Sequence, residues 1–132
     1  MADISKSGTP SISTAVPSPA QSLSGLVSND TIAAGDACYI KTSDGMVYRS
    51  TGAAANAAAV VDGFAATAAV AGQSVSLYWH VNFNYGAALP PGTMAYLSGV
   101  TAGGLADAAS TGGTTPVGRV IDATRIWVRK SY

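Results

Sequence analysis

The chain has 132 residues, with seven Lys and Arg balanced by seven Asp, no Glu, one Cys and one His. That length suits one domain, and a net charge of zero with only 11% charged residues leaves no basic block to track a nucleic acid. One cysteine, Cys38, excludes an intramolecular disulfide. No stretch approaches the roughly 18 apolar residues of a membrane span, and the N-terminus lacks the basic-then-apolar order of a secretory signal.

Hydrophobic types make up 48% of the chain, but much of that share is Ala, so the core is built largely from small residues. Abundant Gly, Ser and Thr with sparse Leu and Ile favour an all-β domain with many turns. Missing Glu is a second argument against helices, whose wet faces usually carry it. A neutral, charge-poor surface suits a protein packed against others.

Residues 1–28 stand apart as a Ser/Pro/Thr-rich segment, SKSGTPSISTAVPSPAQSLSG, with isolated apolar residues at Ile4, Ile12, Val16, Leu23 and Leu26. Pro10, Pro17 and Pro19 forbid a long helix and most ladder pairing. The segment reads either as a disordered tail or as an extended arm that lies on a partner and drops its spaced apolar residues into pockets.

Residues 29–132 read as one β domain of two similar halves, 32–85 and 89–132. IAAGDACYI (32–40) matches LPPGTMAYL (89–97) at Ile32/Leu89, Gly35/Gly92, Tyr39/Tyr96 and Ile40/Leu97. VVDGFAAT (60–67) matches PVGRVIDAT (116–124) through Gly63 and Gly118, and SVSL (74–77) matches RIWV (125–128). An internal repeat of this kind directs the fold reading. Within the first half, DACYIKT and GMVYRS flank Asp44-Gly45, a hairpin signal. GAAANAAAVV (52–61) reads as a loop with room for a helical turn, because a helix this short is marginal alone. Gly63 and Gly118, inside apolar runs, suggest bulges or tight barrel corners. Short strands with regular turns predict a small β-barrel or sandwich.

The stretch SVSLYWHVNFNY (74–85) alternates strictly. Val75, Leu77, Trp79, Val81, Phe83 and Tyr85 share one face, and Ser74, Ser76, Tyr78, His80, Asn82 and Asn84 the other. As one strand it would run roughly 40 Å at about 3.3 Å per residue, so it either bends or projects; Phe83 and Tyr85 are expected to reach a neighbouring subunit. At the C-terminus Ile126 and Val128 point one way and Arg125, Trp127 and Arg129 the other. Trp127 between two Arg is either an interface anchor or a surface aromatic covered by Arg stems.

The residues carry no catalytic set. His80 has no G-x-S-x-G partner motif. One His and one Cys are too few for zinc. The Asp residues sit in turn-like settings, and no Walker loop or dinucleotide fingerprint occurs. Cys38, whose counterpart is Ala95, reads as a small buried thiol. No catalysis, cofactor or metal is expected.

The Ser/Pro/Thr-rich start, AAGDACYIKTSDGMVYRS, PPGTMAYLSG and TPVGRVIDATRIWV together resemble the small decoration, or cement, proteins of tailed-bacteriophage heads, over roughly residues 30–132. The long aromatic strand ending in NFNYG departs from a minimal member and leaves open a fibre or tail role. The resemblance implies a structural virion protein, made in the host cytoplasm and placed on the capsid exterior. It would bind the major capsid protein, commonly as a trimer at three-fold positions, and stabilise the lattice by bridging subunits, with no nucleic acid or membrane partner. Ile4, Ile12, Val16, Leu23, Phe83, Tyr85 and Trp127 are the candidate capsid or subunit contacts. The rival reading is a receptor- or glycan-binding knob of a head fibre or tail, using Tyr78, His80, Asn82 and Asn84.

Overall fold

The computed structural model of the chain describes residues 2–13 and 21–132; Val16, one of the candidate contacts, lies outside them. Among these residues are the strands β1 (Asp3–Ile4), β2 (Ser11–Ile12), β3 (Ser22–Val27), β4 (Ala37–Ile40), β5 (Val47–Arg49), β6 (Gly63–Ala65), β7 (Ser74–Tyr78), β8 (Val81–Asn84), β9 (Met94–Leu97), β10 (Leu105–Ala106), β11 (Gly118–Val120) and β12 (Arg125–Val128). The fold is all-β. One sheet runs β3-β7-β6-β4-β5 and the other β1-β10-β9-β11-β12-β8-β2. Asp44-Gly45 joins β4 to β5, with Gly45 at a φ of 69° that suits Gly. The Ala-rich loop holds a 3-10 turn, Ala57–Ala59, whose Ala58 amide donates to Asn56 Oδ1.

The two sheets share one plan. Adding five to each strand number turns β3-β7-β6-β4-β5 into β8-β12-β11-β9-β10, the central run of the second sheet. The register agrees as well. Cys38 faces Gly63 as Ala95 faces Gly118. Ile40 faces Val47 as Leu97 faces Leu105. Ala65 faces Leu77 as Val120 faces Ile126, so Leu77 rather than Val75 is the counterpart of Ile126. Gly63 and Gly118 are not bulges: each opens its strand, and no register shift falls in the ladders that include them. Each is glycine because the neighbouring strand is too close: an added Cβ would lie 2.8 Å from Leu77 Cβ at Gly63 and 2.8 Å from the Trp127 carbonyl oxygen at Gly118. The register shift of this fold falls instead between Leu23 and Leu26 on β3.

Both sheets curl. In the first, Ser28 at the end of β3 bridges Val47 on β5, joining the two edges. In the second, the N-terminal segment does this work. β1 pairs with β10, the Ser7 amide donates to the Tyr85 carbonyl at 2.9 Å, and β2 pairs with β8. The described strands of this segment therefore pair with the chain's own sheets. Backbone pairing needs no particular side chain, and Pro10 sits buried between the two short strands. Lys6 adds an ion pair to the buried Asp36, 2.5 Å apart.

Two core clusters follow. Cys38, Val47, Ala65, Leu77 and Ile32 fill the first. Phe83, Tyr85, Leu97, Leu105, Val120 and Ile126 fill the second, joined by Ala37 and Phe64 from the first sheet and Val61 from the loop before β6. Phe64 and Phe83 meet with ring centroids 6.3 Å apart. Full burial of an aromatic of this size is worth about 1.5–3 kcal/mol, so this contact is a main bond between the halves. The Cys38 thiol is fully buried, and burial first, then the charges of Asp36 and Asp30, push its pKa far above the ordinary thiol range.

Residues 74–85 are two strands, not one. β7 belongs to the first sheet and β8 to the second, and the break falls at Trp79-His80, where His80 takes a φ of 54°. Alternation survives the break, so Val75, Leu77, Val81, Phe83 and Tyr85 are all buried. The expected projection of Phe83 and Tyr85 toward a neighbour does not occur, because the kink turns β8 into the second core.

Candidate interaction surface

The shared plan picks out one surface. In the first sheet, Ala37, Phe64, Tyr78 and Ser22 stand side by side across four strands. Ala37 and Phe64 are fully buried against the second half, and Tyr78 packs on the same cluster. The equivalent row of the second sheet is Met94, Arg119, Trp127 and Asn82. It is not covered by the first half: Met94 is 40% exposed and Arg119 exposed, with Trp127 and Asn82 half-buried. Ile121, also 40% exposed, joins Gly92, Arg119, Val120 and Trp127 around a shallow hollow beside the row.

The aromatic side chains here are held in place. His80 stacks on Trp127 with centroids 5.5 Å apart and planes 7° from parallel. The Gln21 side-chain amide donates to the His80 carbonyl at 2.6 Å, which steadies the kink. Nearby in sequence, Lys130 Nζ lies 4.8 Å from the Trp79 ring centroid and 4.9 Å from that of Tyr132. The Tyr132 hydroxyl donates to Asp62 at 2.6 Å, and this bond to the carboxylate pushes the tyrosine pKa up to about 12. A rigid Trp flanked by Arg and Met has the composition of an interface anchor.

Charge is distributed unevenly. All seven aspartates accept a hydrogen bond within the chain: Asp3 from Ser98 and Thr101, Asp30 from Arg49, Asp36 from Lys6, Asp44 from Tyr48, Asp62 from Tyr132, Asp107 from the Ala2 amide and Asp122 from Arg125. Three of these are ion pairs. Among the described residues the Arg119 guanidinium has neither a hydrogen bond nor an ion pair. The row thus contains an unmatched cation beside apolar side chains and no carboxylate.

The candidate contacts separate accordingly. Ile4 pairs with Leu105, Ile12 with Phe83 and Leu23 with Leu77, so all three lie inside this chain's own sheets. Phe83 and Tyr85 are core. Among the described candidates, Ile4 and Ile12 pack on the core, Leu23 is half-buried, and Trp127 lies on the outer face of its sheet. Met94, Arg119 and the His80 stack were missed; the signal for Arg119 was its position one residue after Gly118, matching Phe64 after Gly63. Among the described residues no group of three or more His, Cys or Asp could hold a metal ion. No family model matches the chain, and no curated protein and no solved structure matches it.

Proposed function

We propose that the protein is a structural component of a tailed-phage virion, which binds the outer surface of the capsid and stabilises the lattice by bridging major capsid subunits. The observation that supports this most is the exposed row Met94–Arg119–Trp127–Asn82, a preformed docking face whose counterpart in the first half is itself a buried contact. A second contact is available at Val100, 82% exposed on a turn held by the Ser98 hydroxyl. Two faces on one small, rigid chain permit bridging, and repetition over a lattice would multiply weak contacts. A trimer at three-fold positions belongs to this reading, and its action is binding, not chemistry.

Cryo-electron microscopy of virions from the source phage tests it. Ordered density at capsid lattice positions, with Trp127 against a capsid subunit, supports the reading. Density confined to the tail or fibres overturns it in favour of a receptor- or glycan-binding knob, which a glycan array on the soluble protein would then address.

A further inference from the structure

We infer that the Met94–Arg119–Trp127–Asn82 row receives a protein segment that places a carboxylate beside an apolar side chain, and that this segment does not come from a second copy of the chain. The inference rests on the reading of this face as a docking surface and adds the chemistry of what docks.

Three observations carry it. First, the equivalent row of the first sheet, Ala37–Phe64–Tyr78–Ser22, is covered by the other half of the molecule. The fold therefore already uses this face for packing, and only the second half leaves it open. Second, Arg119 replaces Phe64 at the centre of the open row. A surface that covered Arg119 without an acceptor would strand a desolvated cation, so the partner must bring one. A carboxylate meets a guanidinium in a two-point geometry that neutral acceptors do not reproduce. Met94, Ile121 and Trp127 around it ask for an apolar neighbour to that carboxylate. Third, this chain has no Glu, and each of its aspartates is already bonded internally. A second copy is the less suited source, because six of its seven aspartates already accept bonds at both carboxylate oxygens, and three of those six are paired with a cation. Nucleic acid fits less well, because tracking a backbone takes several cations in line and the row holds one.

The test is selection of a random peptide display library on the folded protein, repeated on Arg119→Gln and Trp127→Ala variants checked for native circular dichroism. Recovered peptides enriched in Asp or Glu next to Leu, Ile, Met or an aromatic residue are expected, with binding at least tenfold weaker to either variant. Recovery of no peptides, of sequences without acidic enrichment, or of peptides that bind both variants undiminished would overturn the inference. Tighter binding of a single-stranded oligonucleotide than of the best peptide would overturn it too, as would self-association in sedimentation that Arg119→Gln abolishes. The outcome is separable from the capsid reading. Lattice density with Arg119 facing a basic or uncharged capsid surface defeats this inference alone, whereas acidic selection with no lattice density defeats the capsid reading alone.

Discussion

His80 lies flat on Trp127, with ring centroids 5.5 Å apart and planes 7° from parallel, while its own backbone sits at a φ of 54°. One residue thus makes the turn between the sheets and braces the most prominent aromatic of the open face. The two roles have opposite costs. Left-handed backbone disfavours an ordinary L residue by about 1–2 kcal/mol, and an aromatic stack returns about 0.5–1.5 kcal/mol.

That balance predicts an ordering. His80→Ala loses the stack and keeps the strain, so it should destabilise the protein by about 0.5–1.5 kcal/mol. His80→Gly loses the stack but removes the strain, and should lie close to the parent. Urea denaturation of the three proteins checks this; equal loss in both variants would show that the stack alone matters.

The N-terminal segment should be part of the folding unit. Removing residues 1–13 strips β1 and β2 from the edges of the second sheet and uncovers Leu105 and Phe83. With Ile4 and Ile12 only partly buried, the expected loss is about 2–5 kcal/mol, from apolar area at about 25 cal/mol per Å² and the ladder bonds. A free arm would cost nothing. The urea midpoint of the truncated chain decides between them.

Gly63→Ala and Gly118→Ala test the shared plan at equivalent positions. Both force a methyl to within 2.8 Å of a neighbouring strand, and overpacking of this kind costs about 1–3 kcal/mol. The two should lose similar amounts, because Leu77 Cβ is fixed to its own backbone as firmly as the Trp127 carbonyl oxygen, and the Gly63 methyl would also meet the Tyr78 backbone. Thermal melts of the two variants check this; a loss at only one position would show that the two sites are not equivalent.

Acid should unfold the protein through its bonded carboxylates. Burial alone would raise the Asp30 pKa, but hydrogen bonds from Arg49 and Thr31 outweigh it and hold the carboxyl below its ordinary 3.8. Asp44 is lowered by the Tyr48 hydroxyl and the Met46 amide, and Asp122 by the Thr124 amide and Arg125. In each case the folded state binds its proton less readily than the unfolded state. The stabilisation is therefore complete above the unfolded value of about 3.9 and is lost as pH falls through the lowered folded values. Urea midpoints should be flat from about pH 7 to 5 and drop below about pH 4. Asp30→Asn should be less stable at neutral pH and show a shallower drop.

Much of this architecture is legible in the residues. The absence of Glu and the abundance of Gly, Ser and Thr point to strands. Asp44-Gly45 marks its hairpin, and the spacing Gly35/Gly92 with Gly63/Gly118 marks related strands, though the correspondence in the structure runs β3–β7 onto β8–β12, so Val81–Asn84 opens the second half where the expected bounds, 32–85 and 89–132, put it in the first. The alternation names five inward residues, Val75, Leu77, Val81, Phe83 and Tyr85, but fails at the kink, where Trp79 is only half-buried and Tyr78 packs on the core. Other features required the tertiary structure. Alternation states which side of a strand faces inward but not which sheet it joins, and it continued unbroken through the kink at His80; one stretch therefore read as a single strand when it was two. The short strands Asp3–Ile4 and Ser11–Ile12 are held by backbone pairing with sheet edges formed far along the chain, and such pairing leaves little trace in side-chain type. Whether a row is buried or open depends on what packs over it: the second half covers Phe64, while Arg119, its equivalent one repeat later, is exposed because the first half packs against the other residues of that sheet, Phe83, Val120 and Ile126.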